Sequence, residues 1–215
     1  MLQKIRNHIK NLSKGKKRIL AGILVFSVVI FGAAGFYAGR HYYTKTFGIK
    51  IKPSKDFPIT EITYFLQNDP AWGDDIIGKS NSRMSNTGCL ISCVASSLNE
   101  LDVQITPGEL NAKLTEIGGY EYDILLWYKL NEVFTTIDYK YNRFFSSDTI
   151  DQLLEDKLLP IVNVKYLNGN ATHWVMIVGA ENGEYMVFDP LNAEMDPIPL
   201  SIHGKVYAYR VLRTV

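Results

Sequence analysis

The chain has 215 residues, only two cysteines, neither repeats nor low-complexity tracts, and a formal net charge of +1. That near-neutral figure hides two unlike parts: residues 1–40 hold eight Lys/Arg and no acid, and the remainder carries −7. An acidic body excludes nucleic acid as a partner, because phosphates demand a basic face.

The basic segment 1–18 leads into "ILAGILVFSVVIFGAAGFYAG", residues 19–39, which is 21 residues without a charge. A helix of that length rises about 30 Å, enough to cross the hydrocarbon core of a bilayer. Seven Lys/Arg precede it and only Arg40 and Lys45 follow closely. Positive charge stays on the cytoplasmic side, so the N-terminus is expected inside and the later residues outside. The rival is a cleaved signal peptide ending at Ala34, but both the basic lead and the apolar run are longer than such peptides carry. The expectation is a single-pass protein of the cell membrane, anchored through residues 19–39. The spacing of Gly35 and Gly39 is compatible with a homodimer through this helix. Residues 40–60 read as a short stalk with strand propensity, and 61–215 as one compact domain.

Within the domain, "NTGCLISCVASSLNEL" holds both cysteines, Cys89 and Cys93. Leu90, Val94, Leu98 and Leu101 form one helical stripe, so the thiols share a face one turn apart. A regular helical turn holds them too far apart for a disulfide. Zinc needs two more ligands, and no cluster of Cys or His supplies them, so neither a metal nor a cofactor is expected. Cys93 reads as a small buried residue. Cys89 differs, because Asn86, Thr87 and Gly88 before it are turn and cap residues that place it in the first helical turn. The helix dipole there favours a thiolate, and the free N–H groups suit an oxyanion.

A nucleophilic cysteine needs a base. Of four histidines, His8 lies on the cytoplasmic side and His41 abuts the membrane; His203, in "SIHGK", suits a surface turn. His173 opens "HWVMIVGA", an apolar run expected to be a core strand. The following "ENGEYMVFDP" reads as a turn and a returning strand. A four-residue loop 180–183 pairs Val178 with Tyr185 and sets Asp189 opposite Trp174, one residue from His173 along the ladder. A carboxylate there can orient an imidazole and stabilise its cation. Regular alternation would point the two side chains to opposite faces, so a bulge, or departure of Asp189 from the ladder, is expected.

Elsewhere Thr106 and Glu109 form a capping box with Pro107 at the first position, starting a helix that stops at Gly118-Gly119. "DILLWYKLNEVF" reads as a second helix and "SSDTIDQLLEDKLL" as a third, capped near Ser147. Strands dominate from residue 160 onward. Helices first and an antiparallel sheet later make an α+β domain.

"YFLQNDPAWG", "NTGCLISCVASSLNEL", "ITPGELNAKL", "LPIVNVKY", "THWVMIVGA" and "YMVFDPLNAE" together resemble the bacteriocin-peptidase-like (double-glycine-peptidase-like) branch of the papain-like cysteine peptidases, over roughly residues 62–195. The resemblance implies a papain-like fold, with Cys89 as nucleophile, His173 as general base and acid, Asp189 as its orienter and Gln67 as an oxyanion donor. Gln67 stands 22 residues before Cys89, farther than in the leader peptidases of that branch, and the chain has no phosphate-binding glycine loop of an export ATPase. The functional expectation is a membrane-anchored, extracytoplasmic cysteine peptidase or amidase acting on a peptide or protein. The alternatives are a non-catalytic, membrane-tethered binding or assembly module on the same fold, and a cell-wall peptide hydrolase.

Overall fold

The computed structural model describes residues 13–141 and 144–215; most of the basic segment 1–18, with His8, lies outside the described residues. The chain divides into two units, the second comprising Thr44–Val215. Helix α1, Lys14–Phe47, contains the charge-free stretch and continues beyond it until Gly48, whose N–H bonds Thr44 O at 2.9 Å. Its Ile, Leu, Val and Phe side chains between Ile19 and Phe36 are exposed. The helix is long and apolar enough to cross a membrane.

Residues 40–60 depart from the expected stalk. They are helical to Phe47 and extended afterwards, with Ile49 bridging Val206 and Phe57 bridging Ala180. Lys52 N–H donates to Ser147 Oγ at 3.0 Å and Ser54 N–H to Asp151 Oδ2 at 3.0 Å. The strand propensity is used as an edge of the domain, where backbone groups find protein partners instead of water.

The second unit is a mixed helix and antiparallel-sheet structure. Its helices are α2 (Met84–Thr87), α3 (Cys89–Asn99), α4 (Pro107–Glu116), α5 (Tyr128–Val133) and α6 (Ser147–Glu155). A small hairpin pairs β1 (Tyr120–Glu121) with β2 (Ile124–Leu125). The main sheet joins β3 (Ile137–Lys140), β4 (Ile161–Lys165), β5 (Thr172–Glu181), β6 (Glu184–Phe188), β7 (Ile198–Pro199) and β8 (Ala208–Thr214) in the order β3-β8-β4-β5-β6-β7. Every neighbouring pair is antiparallel.

Two apolar layers hold the sheet. Val94, Leu98 and Leu110 share one cluster with Met176, Val178 and Phe188, while Ile150 and Leu153 share another with Val162, Val175 and Ile177. Alternate residues of β5 thus go to opposite faces, and covering both faces explains why this strand is an almost continuous apolar run. Leu98 and Ile150 are fully buried, and truncating either to alanine should cost about 2–5 kcal/mol.

The expected capping box is present in α4, where Thr106 and Glu109 satisfy each other's backbone N–H. Helix α6 is capped one residue earlier than expected, by Ser146, whose N–H bonds Thr149 Oγ1 at 3.2 Å. The second expected helix is shorter. Ile124 and Leu125 pair with Tyr120 and Glu121 across a turn at Tyr122 and Asp123, leaving six residues for α5.

Candidate active site

Helix α3 starts at Cys89, but not by the expected side-chain cap. Asn86 and Thr87 belong to the single turn α2, and Gly88 is the N-cap of α3, with no side-chain hydrogen bond. Gly88 N–H bonds Met84 O at 2.8 Å, and Ser92 N–H bonds Gly88 O at 3.0 Å, so one helical turn runs through Gly88 into the next. Only glycine fits that junction, because a Cβ would stand 2.5 Å from Met84 O. Cys89 therefore occupies the positive end of an eleven-residue helix. It is 7 % exposed.

His173 is the second residue of β5, opposite Val164 of β4. Its Nε2 lies 2.6 Å from Asp189 Oδ1. Its other ring nitrogen is left for Cys89, which lies near enough to help raise the pKa of the imidazole. Both His173 and Asp189 are buried.

The strand register explains how they meet. The hairpin turn is the two residues Asn182 and Gly183, both at positive φ, and Ala180 pairs with Tyr185, not Val178 as expected. Continued regularly, that register would still point His173 and Asp189 to opposite faces. A bulge between Ile177 and Gly179 corrects it, so that Ile177 pairs with Val187 and Met176 with Phe188. Extending the shifted register puts Asp189 beside Val175, on the same face as His173. The expected irregularity is thus present, at Val178.

Asp189 Oδ1 also accepts from Leu191 N–H at 2.9 Å. Burial is the largest influence on its carboxyl and pushes the pKa up, but the hydrogen bonds from His173 and Leu191, with His203 close by, hold it well below the usual carboxylate range. For His173 burial is again the largest influence and acts downward. The hydrogen bond to Asp189 and the interaction with Cys89, with their charges, outweigh it and raise the imidazole to about 9. The arrangement favours an imidazolium between a carboxylate and a sulfur.

Gln67 is buried, 1 % exposed, and pinned at both ends. Its backbone N–H donates to Pro190 O at 3.0 Å, and its side-chain Nε2 donates to Ser85 O at 2.8 Å. It thereby ties the residue after Asp189 to the turn before Cys89. Accepting one amide proton at Ser85 O leaves the second for another acceptor.

Cys93 is fully buried and donates to Trp174 O at 3.6 Å. Burial first, then the charges of Cys89 and Asp189, push its thiol well above the ordinary value. Both cysteines are free thiols.

The surface reading of His203 is overturned. It ends the 3₁₀ turn Leu200–His203, is 0 % exposed, and its Nε2 stands 3.3 Å from Asp189 Oδ2. A signal was present in "LSIHGK": Leu200 lies three residues earlier, one 3₁₀ turn away, where both side chains take the same side. The hydrophilic flanks of the pentapeptide "SIHGK" concealed it.

A scan against protein families finds none that matches this chain, and a search of curated proteins finds no relative. The chemistry of the site accordingly rests on its own geometry.

Proposed function

We propose that the domain is a cysteine hydrolase of papain-like type, a peptidase or amidase, held at the outer side of the cytoplasmic membrane by α1. The observation that carries this reading is the buried His173–Asp189 pair with Cys89 acting on the same imidazole. A thiol at the first residue of a helix acts on an imidazole whose Nε2 lies 2.6 Å from a buried carboxylate. Three such groups in series are what amide cleavage by a thiol requires.

In the reaction His173 takes the proton of Cys89, and the thiolate attacks the amide carbon. The new C–S bond pushes the carbonyl electron pair onto oxygen, where the first-turn N–H groups of α3 and the remaining amide proton of Gln67 receive it. His173 then protonates the departing nitrogen as the C–N bond breaks, leaving a thioester and a free amine. Water attacks the thioester with His173 as base, releasing the acid and restoring the thiol. The basic residues preceding the apolar stretch, against the sparse positive charge after it, support the outward placement of the domain.

The test is the alkylation rate of the full-length protein in detergent micelles, followed against pH in wild type, Cys93→Ser and His173→Ala. Fast reaction of Cys89 at neutral pH that survives Cys93→Ser and disappears in His173→Ala is expected. Hydrolysis is then sought across a panel of peptides and muropeptides, the latter testing a cell-wall substrate. Equal, slow rates in all three proteins would remove the chemical basis of the proposal.

One observation favours a second reading. Cys89 is buried, as are His173 and Asp189, and a site closed to solvent suits a membrane-tethered binding or assembly module that has kept the fold without the reaction. The same experiment separates the two, because a thiol sealed from reagent stays unmodified at every pH.

A further inference from the structure

His203 is a buried histidine that the three-residue line does not use. Its Nδ1 accepts a hydrogen bond from Leu167 N–H at 3.2 Å. A ring nitrogen that accepts carries no proton, so in this arrangement the proton of the neutral ring sits on Nε2. That Nε2 has no hydrogen bond of good geometry, and it stands 3.3 Å from Asp189 Oδ2. The carboxylate is therefore contacted on both oxygens: Oδ1 by His173 and Leu191 N–H, Oδ2 by His203. Tyr166 closes the group, its ring 5.2 Å from that of His173 and 6.2 Å from that of His203. The two imidazole centroids are 5.8 Å apart.

We propose that His203 is a positioning residue, a neutral N–H donor that fixes the second oxygen of Asp189 and so holds the carboxylate in line with His173. A carboxylate held only through Oδ1 can turn about its Cβ–Cγ bond and lose alignment with the imidazole; a donor at Oδ2 prevents this. The backbone bond from Leu167 explains how the donor is chosen, since it forces the proton onto the nitrogen that faces Asp189. This proposal rests on the cysteine-hydrolase reading for its consequence, but not for its geometry.

Two substitutions separate positioning from mere packing. Asparagine at 203 offers an acceptor near the place of Nδ1 and nothing near Nε2, so His203→Asn keeps the bond from Leu167 and drops the donor to Asp189. Glutamine reaches farther and offers a donor near Nε2, so His203→Gln keeps the contact with Asp189. The readouts are the titration of His173 followed by imidazole NMR and the neutral-pH alkylation rate of Cys89, both on the full-length protein in micelles. The groups facing His173 are Cys89, Asp189, Tyr166 and His203, and of these only His203 is altered.

In His203→Asn the apparent pKa of His173 should fall by about one unit and Cys89 alkylation by about tenfold. In His203→Gln both should stay near wild type. A purely structural role predicts the reverse order, with Asn benign and Gln damaging, and that result overturns the proposal, as does a wild-type titration in both. Nitrogen shifts of the unsubstituted protein give a further test that no folding failure can obscure. A protonated Nδ1 or unprotonated Nε2 on His203 would also overturn it. If Cys89 is inert in wild type while the His173 titration still responds to His203→Asn, the positioning stands and the hydrolase reading fails.

Discussion

Replacing Asp189 by asparagine keeps the side-chain volume and removes the charge that His173 faces at 2.6 Å. The interactions around His173 raise its pKa from 6.5 to about 9. At about 1.4 kcal/mol per unit, the charged imidazole and its partners contribute roughly 3 kcal/mol to folding, within the range for breaking a buried ion pair. The folded-state pKa lies above the unfolded one, so this stabilisation is complete below about pH 6.5 and fades as pH rises through about 9. Asp189 acts in the opposite sense. Its pKa is depressed in the folded state, so its share is present above about pH 4 and is lost on acidification. Asp189→Asn should therefore be less stable than wild type by about 3 kcal/mol near pH 6, and the gap should narrow as pH rises through about 9, leaving what the Leu191 bond and the neutral imidazole still contribute. Unfolding of both full-length proteins in detergent can be followed by tryptophan fluorescence, since Trp72, Trp127 and Trp174 all belong to the second unit. Titrations common to both proteins cancel in the difference. A gap that stays constant from pH 6 to 10 would refute the reasoning, because it would show that His173 is not charged by its partners.

Other outcomes are equally direct. Hydrolysis by the wild type should decline as pH rises through about 9, where His173 loses its proton; a pH profile still rising beyond that point would contradict the assignment of the imidazole. Gly88→Ala would drive a Cβ to 2.5 Å from Met84 O, so a loss of about 1–3 kcal/mol and slower alkylation of Cys89 are expected from a melting curve and a thiol assay on the same sample. Gln67→Ala should lower kcat by about 10²–10³ while leaving the Cys89 alkylation rate unchanged, a split that distinguishes oxyanion binding from activation of the thiol.

Much of the fold was legible because its signals are local. The charge-free run reads as a spanning helix from length alone, and the capping box at Thr106 and Glu109 needs only four residues to recognise. Where the reading slipped, the deciding partner was remote in sequence. Residues 49–60 looked like a stalk because nothing near them shows that Ile49 will bridge Val206 or that Phe57 will bridge Ala180. The helix expected from Asp123 onward lost its first residues to a hairpin for which Gly118 and Gly119 were the only local hint.

The site divides along the same line. Cys89 and His173 could be singled out by helix position and by elimination, whereas Leu200 signals only the burial of His203, and its approach to Asp189 is contained in no short window. The register of Asp189 was only half legible. Asn182-Gly183 is a strong two-residue turn signal, and the observed pairing differs from that of a four-residue loop by two residues, a shift that leaves parity unchanged. Either register put His173 and Asp189 on opposite faces, so the requirement that a base meet its orienting acid exposed the need for a bulge. Its location was not available from that requirement. Thr60 N–H donates to Val178 O at 2.8 Å, and Phe57 exchanges two backbone hydrogen bonds with Ala180. A segment more than a hundred residues upstream thus supplies partners for the strand at the point where its own ladder is broken. That long-range support gives the carbonyl of the extra residue a partner, and it ties the alignment of His173 with Asp189 to residues 57–60.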